Sequence, residues 1–389
     1  MAGKKGSTIG VDRTDDRPVY IVGGGPGGLA TAAALRARGV RAVVLERSDA
    51  VGASWRGHYD RLRLHTTRRL SGLPGLPLPR SCGRWVSRDD LVRYLESYAD
   101  HHELEIVTGV SVSRIDRAEG GDWTLHATGG RLLTGRAVVV ATGRCHTAHL
   151  PAWPGREDYP GELLHSRAYR SPAPYAGREV LVVGSGNSAA EIAVDLVEGG
   201  AARVGLAVRT PPHIVRRSVA GWPAQRTGVL VRRMPVRLLD AAAGLRGPLG
   251  TPDLSEHGLP RPGTPLGTRM RQGAAPVVDT GLVAAVRTGR IEVMAPVASF
   301  EGAKAVLADG TRIAPDAVIA ATGYRSGLEQ LVGHLGVLDE AGLPLAHGRR
   351  GTPKAPGLYF TGFTTPISGM LRELSLDAGR LARAVAARH

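Results

Sequence analysis

Cysteine is scarce in this chain. Only Cys82 and Cys145 are present, far apart, and no C-x-x-C pair exists. That argues against the dithiol chemistry of thioredoxin-reductase or glutathione-reductase type, and two lone thiols fit a reducing cytoplasm. Aromatic residues make up 4% of the chain, too few to build stacking platforms for single-stranded nucleic acid. No apolar run is long enough to cross a bilayer, and Met1-Ala-Gly-Lys-Lys lacks the core of a signal peptide. No His, Cys or carboxylate spacing suggests a metal site, so none is expected. No G-x-S-x-G elbow is present for acyl transfer.

Glycine, in contrast, is abundant, and twice it falls into a dinucleotide-binding fingerprint. The first is Gly23-Gly24-Gly25-Pro26-Gly27-Gly28. An apolar run, Pro18 to Val22, leads into it, an Ala-rich helix is expected over Ala30 to Arg38, and a second apolar run, Ala42 to Leu45, ends in Glu46. Glu46 lies 23 residues after Gly23, near the spacing of a ribose-binding carboxylate. In such a unit Gly23 makes the turn, Gly25 lets backbone approach a pyrophosphate, and Gly28 lets helix pack on strand. The helix N-terminus offers free N–H groups and positive dipole to the phosphates.

The second fingerprint is Gly184-Ser185-Gly186-Asn187-Ser188-Ala189, between a strand at Glu179 to Val183 and a helix at Ala189 to Val197. The next strand, Val204 to Val208, ends in Arg209-Thr210 rather than an acid. An acid there accepts from a free ribose 2′-OH, whereas a cation accommodates a 2′-phosphate, so Arg209 points to NADPH over NADH. Each half then closes on an apolar strand running into Ala-Thr-Gly, at Ala141-Thr142-Gly143 and Ala321-Thr322-Gly323. The long period reads as domain duplication or insertion, not a solenoid. A chain with two dinucleotide sites is expected to pass electrons between them.

Between the fingerprints lies Tyr159-Pro-Gly161-Glu-Leu-Leu-His165-Ser166-Arg-Ala-Tyr169. It resembles the F-x-G-x-x-x-H-x-x-x-[YF] signature of class B flavoprotein monooxygenases, with Tyr159 in place of the first Phe. Tyr169, where Baeyer–Villiger enzymes carry Trp, favours the short flavin-containing monooxygenases that include the plant YUCCA type. Ala321-Thr-Gly-Tyr324 is similar to that family's F-A-T-G-Y segment, with Ala320 in the Phe place. The likeness extends to Ser54-Trp55, Tyr59 to His65, His257 to Pro262 and Gly357 to Phe363.

The resemblance implies FAD in the first unit and NADPH in the second. Hydride passes to the flavin, dioxygen forms a flavin C4a-hydroperoxide, and one oxygen atom reaches a small substrate. Trp55, Thr142, Thr322 and Gly362 join the cofactor-binding residues by the same likeness. Many members place an Asn beside the hydroperoxide where this chain has His65, so His65 is the catalytic candidate, with a packing role as its alternative. A histidine can donate a hydrogen bond there, subject to its protonation. His165 is read as a structural residue at the domain hinge. Oxygenation at N or S leads. Baeyer–Villiger attack or oxidative decarboxylation of a 2-oxo acid, kept in view by the likeness around Arg261-Pro262, follows. An NADPH oxidase, a flavin reductase or a non-enzymatic redox sensor is the reading from another class.

The expected fold is α/β, with two Rossmann-like domains and the NADPH domain inserted into a discontinuous FAD domain. Residues 1–17 form a flexible tail, 18–158 and 318–389 the FAD domain, and 159–317 the NADPH domain. Pro211 to Pro276 carries no chemical motif; a short helix at Leu238 to Leu245 and a wall over the substrate are expected of it. The formal net charge of +15 is nearly all arginine and scattered, and two bound dinucleotides offset part of it. An anionic substrate such as a carboxylic acid is a reasonable consequence; nucleic acid is not expected as a partner. The partners foreseen are a small molecule and dioxygen, with a homodimer left open.

Overall fold

The computed structural model describes residues 17–245 and 252–388. The expected tail up to residue 16 lies outside the described residues, while Arg17 closes an ion pair with Asp122. Two five-stranded parallel sheets carry the fold. In the first, the order is Leu358–Phe360, Ala137–Val140, Val19–Val22, Ala42–Leu45 and Glu105–Val107. In the second it is Glu162–His165, Ala317–Ala320, Glu179–Val183, Arg203–Ala207 and Glu292–Met294. Ala137–Val140 and Ala317–Ala320 are buried at every residue, as strands covered on both faces must be.

The sheets repeat one plan. In each, the strand before Ala-Thr-Gly pairs with the strand before the fingerprint, and that one with the strand ending at Glu46 or near Arg209. Each unit also makes an antiparallel excursion before its Ala-Thr-Gly strand, over residues 112–135 and 297–313. The outermost strand differs: it comes from the far C-terminal piece in the first sheet and from the signature segment in the second. One expected boundary is corrected. Ala317–Ala320 pairs with Glu179–Val183 on one side and Glu162–His165 on the other, so a break at 317/318 would cut through the second sheet.

Two of the long helices of the first unit follow from sequence. Pro26 sits at the first turn of the Pro26–Arg36 helix, where its missing N–H costs nothing. The Met370–Ala386 helix buries Leu371, Leu374, Ala378, Leu381, Ala382 and Val385, a helical-period stripe. These two helices share one core, in which each fully buried Leu contributes roughly 1.5–3 kcal/mol. Within the insertion, Ile214–Arg216 pairs in parallel with Val277–Asp279. The helix expected from Leu238 begins at Val236 and runs to Leu245.

Candidate active site

The two fingerprints fold alike. The Gly23 N–H donates to Leu45 O at 2.8 Å and the Gly184 N–H to Ala207 O at 3.0 Å. Their φ angles are +116° and +143°, in a region that side chains rarely adopt. A Cβ at Gly23 would meet Ala141 O at 2.7 Å, and one at Gly184 would meet Ala321 O at 2.4 Å. The carbonyl that opens each Ala-Thr-Gly is therefore pressed against the first glycine of its fingerprint, which explains why the two motifs travel together. Gly25 and Gly186 are different: a Cβ at either would find nothing within 4 Å. Each stands at the start of a helix whose first-turn amides have no carbonyl upstream.

Around the first fingerprint, Glu46 is buried, and its oxygens accept from the Gly24 N–H at 2.7 Å and the Ser48 N–H at 2.9 Å. Each oxygen keeps a lone pair for a further donor. The Gly52 N–H donates to Gly24 O at 3.0 Å, which brings the half-buried Trp55 to the same loop. The Thr361 N–H donates to Val140 O at 3.0 Å, setting Gly362 beside Ala141 to Gly143. Around the second, Arg209 and Thr210 are exposed just beyond Ala207. Asn187 is partly withdrawn from the expected set. Its side chain donates to Pro276 O at 3.0 Å and accepts from the Val278 N–H at 2.8 Å, leaving its main-chain amide and one Nδ2 hydrogen for a phosphate.

Where the domains meet, His65 faces the second helix, Asn187–Glu198. Its Nε2 lies 2.8 Å from Glu191 Oε1, and Tyr59 donates to Glu191 Oε2 at 2.9 Å. Burial and then the Glu191 charge push the Tyr59 phenol up, so it stays protonated. One and two turns on, Asp195 and Glu198 meet Arg61, and Asp195 also accepts from Tyr169 at 2.8 Å. An acid stripe at 191, 195 and 198 thus fastens residues 59–65 to the second domain. Sequence reading overlooked it, although three acids at helical spacing on an apolar helix were a usable signal.

The signature segment is a fastening too. The Tyr159 hydroxyl donates to Pro315 O, the His165 Nε2 to Gly323 O at 3.0 Å, and Tyr169 to Asp195. Thr322 donates to His149 O, so the second Ala-Thr-Gly end is held from both sides. The insertion supplies two further residues that sequence did not single out. Gln225, buried, accepts from the Thr67 N–H at 2.8 Å and donates to Ser368 O at 2.9 Å. Arg217 donates to Leu64 O at 2.6 Å. Arg261, in contrast, is exposed and pairs with Asp253 at 3.4 Å, so it faces solvent rather than the cleft.

Three buried polar atoms among these elements lack a hydrogen-bond partner among the described residues: His65 Nδ1, Thr142 Oγ1 and Arg217 Nε. Together with the open approach at Gly25 and Gly186, they fit a pair of dinucleotides with a small molecule between them.

Comparison with known proteins agrees with this geometry. The family model described as pyridine nucleotide-disulphide oxidoreductase matches residues 20–239. Indole-3-pyruvate monooxygenase YUCCA1 of Oryza sativa subsp. japonica is 36% identical over 88% of this chain and 86% of its own length. Probable indole-3-pyruvate monooxygenase YUCCA3 of Arabidopsis thaliana is 33% identical over 95% of this chain and 86% of its own. The structure of a flavin-containing monooxygenase from Stenotrophomonas maltophilia matches with a TM-score of 0.73 at 25% identity, covering 96% of this chain and 98% of that one.

Proposed function

The chain belongs to the pyridine nucleotide-disulphide oxidoreductase family and, within it, to the YUCCA-type class B flavin monooxygenases, and on that premise we propose that it oxygenates a 2-oxo acid. It is an NADPH-dependent flavin enzyme. The overall change is 2-oxo acid + O2 + NADPH + H⁺ → carboxylic acid + CO2 + NADP⁺ + H2O. The observation that carries this choice is that relatives sharing a third of their residues over most of the chain are named for indole-3-pyruvate, a 2-oxo acid. The motifs alone put oxygenation at N or S first; the relatives reverse that order.

FAD, when bound, would supply the activation of dioxygen, and NADPH would supply the hydride. The rest is the work of the protein. We assign the Gly25–Gly28 amides to the FAD pyrophosphate, Glu46 to its ribose, and Trp55, Thr142, Gly143 and Gly362 to its walls. The amides of Gly186, Asn187 and Ser188 take the NADPH pyrophosphate, Arg209 and Thr210 its 2′-phosphate, and Thr322 and Gly323 line its sheet end. Glu191 holds the His65 ring through Nε2, which leaves Nδ1 as the atom that can exchange a hydrogen bond with the reacting oxygen. Closing the domains excludes water from that oxygen.

The test is product analysis with ¹⁸O2. FAD-loaded protein, NADPH and indole-3-pyruvate should release CO2 and give indole-3-acetate carrying one labelled oxygen. A labelled sulfoxide from a thioether, with no CO2 from any 2-oxo acid, would restore heteroatom oxygenation. Peroxide equal to the NADPH consumed, whatever the substrate, would make the protein an oxidase.

A further inference from the structure

Arg217 comes from the segment Pro211 to Pro276, which carries no chemical motif, yet its surroundings differ from those of the ion-paired arginines of this chain. Its guanidinium carbon stacks 4.1 Å from the Trp85 ring centroid, and Nη2 is held by Leu64 O, one residue before His65. Among the described residues the other two nitrogens have no hydrogen-bond partner. Among the described residues, the opposite charge acting on it is that of Glu191, whose oxygens already serve Tyr59 and His65. Burial, against the pull of Glu191 and with added repulsion from Arg63, pushes Arg217 down to about 10. Arg61, Arg88, Arg203 and Arg312 move the other way, and each touches a carboxylate.

A half-buried cation without its own counter-ion is costly to hold, and an arriving anion offsets that cost. Stacking on Trp85 and the bond to Leu64 fix the planar fork in advance, so little side-chain freedom is lost when a carboxylate docks. Its bond to Leu64 O ties it to the residue that precedes His65, the ring assigned above to the reacting oxygen.

We propose that Arg217 anchors the substrate carboxylate and so selects a 2-oxo acid over the matching neutral ketone. This rests on the 2-oxo acid reading above. Because the ion pair forms on binding and persists through the reaction, its loss should appear in KM more than in kcat.

The test compares phenylpyruvate with phenylacetone, which has a methyl group where phenylpyruvate has its carboxylate. Full-length FAD-loaded wild type, Arg217→Gln and Arg217→Lys are measured by equilibrium dialysis of the oxidised protein with NADP⁺, and by steady-state kinetics. For phenylpyruvate, Arg217→Gln should raise Kd and KM about 10- to 100-fold. Phenylacetone and NADPH should change less than about twofold, and Arg217→Lys should recover part of the loss. A structural brace would weaken both probes alike, and a nucleotide contact would raise the KM for NADPH; either result overturns the anchor, as does an unchanged Kd for phenylpyruvate. Wild type that binds phenylpyruvate through Arg217 but releases no CO2 keeps the anchor and overturns the decarboxylation. CO2 release that Arg217→Gln leaves intact, with KM unchanged, does the reverse.

Discussion

The two nucleotide units share a strand order and a turn, yet they differ at the third position of the fingerprint and at the end of the following strand. Gly28 packs so tightly that an added Cβ would lie 2.0 Å from Gly23 O. At the same place in the second unit stands Ala189, fully buried, so its helix tolerates a methyl against the turn. The first helix is also enclosed by the Met370–Ala386 helix, while the second presents its acid stripe to the neighbouring domain. One plan has thus been used twice, once as a closed cradle and once as a contact surface between domains. The chemistry of the ends follows: a buried Glu46 in the cradle, an exposed Arg209 on the other unit.

The sharpest way to break that comparison is at the third position. Gly28→Ala should abolish flavin binding and most soluble protein, since overpacking against main chain costs about 1–3 kcal/mol or more and nothing flexible can yield. Ala189→Gly should keep full flavin and lose only about 1 kcal/mol of stability, the helix cost of glycine. Flavin absorbance per protein after gel filtration decides it; a fully flavinylated Gly28→Ala protein would mean that the two helices sit alike. Next in size is Gly25→Ala. Because no protein atom crowds that position, the apoprotein should fold while its Kd for FAD rises about 10-fold or more, the methyl standing where a phosphate must approach. The matching Gly186→Ala should spare flavin content and raise the KM for NADPH.

What sequence made legible was the part in which neighbours along the chain decide the outcome. Strands at Ala42–Leu45, Glu179–Val183 and Ala317–Ala320 fall on the residues expected, because a short apolar run between turn residues has few other ways to be buried. The first helix begins at Pro26, four residues before the expected Ala30, since glycine and proline read as breakers although both suit a first turn. The junction was less legible. Glu191 meets Tyr59 across 132 positions and Arg217 meets Leu64 across 153, so nothing local marks either one. Arg217 in particular is one arginine among many until the fold stacks it on Trp85 and ties it to Leu64 O.

At the strand ends the comparison predicts a difference of cofactor rather than of fold. Arg209→Ala should raise the KM for NADPH about 10-fold, the worth of one charge-assisted contact, and leave that for NADH unchanged. Flavin content should not move, because Glu46 and the first fingerprint are untouched. Equal effects on both nucleotides would remove the phosphate role and leave Arg209 as one more exposed cation.

The smallest effect lies where the second Ala-Thr-Gly is pinned and the first is not. His165 donates through Nε2 to Gly323 O and accepts at Nδ1 from the Arg167 N–H at 3.1 Å, so the neutral ring is the one that fits. Burial first, opposed by the Gly323 carbonyl and aided by the Arg167 and His149 charges, lowers its pKa below the usual 6.5. The unfolded chain therefore takes up this proton before the folded one does. Stability from His165 is complete above 6.5 and is lost as pH falls through 6.5 toward the folded value. His165→Gln, which removes the titration, should melt about 2–4 °C lower than wild type at pH 8, and the gap should narrow toward pH 5. Melting curves across that range check it; a gap that stays constant with pH would mean that His165 packs the hinge without titrating in it.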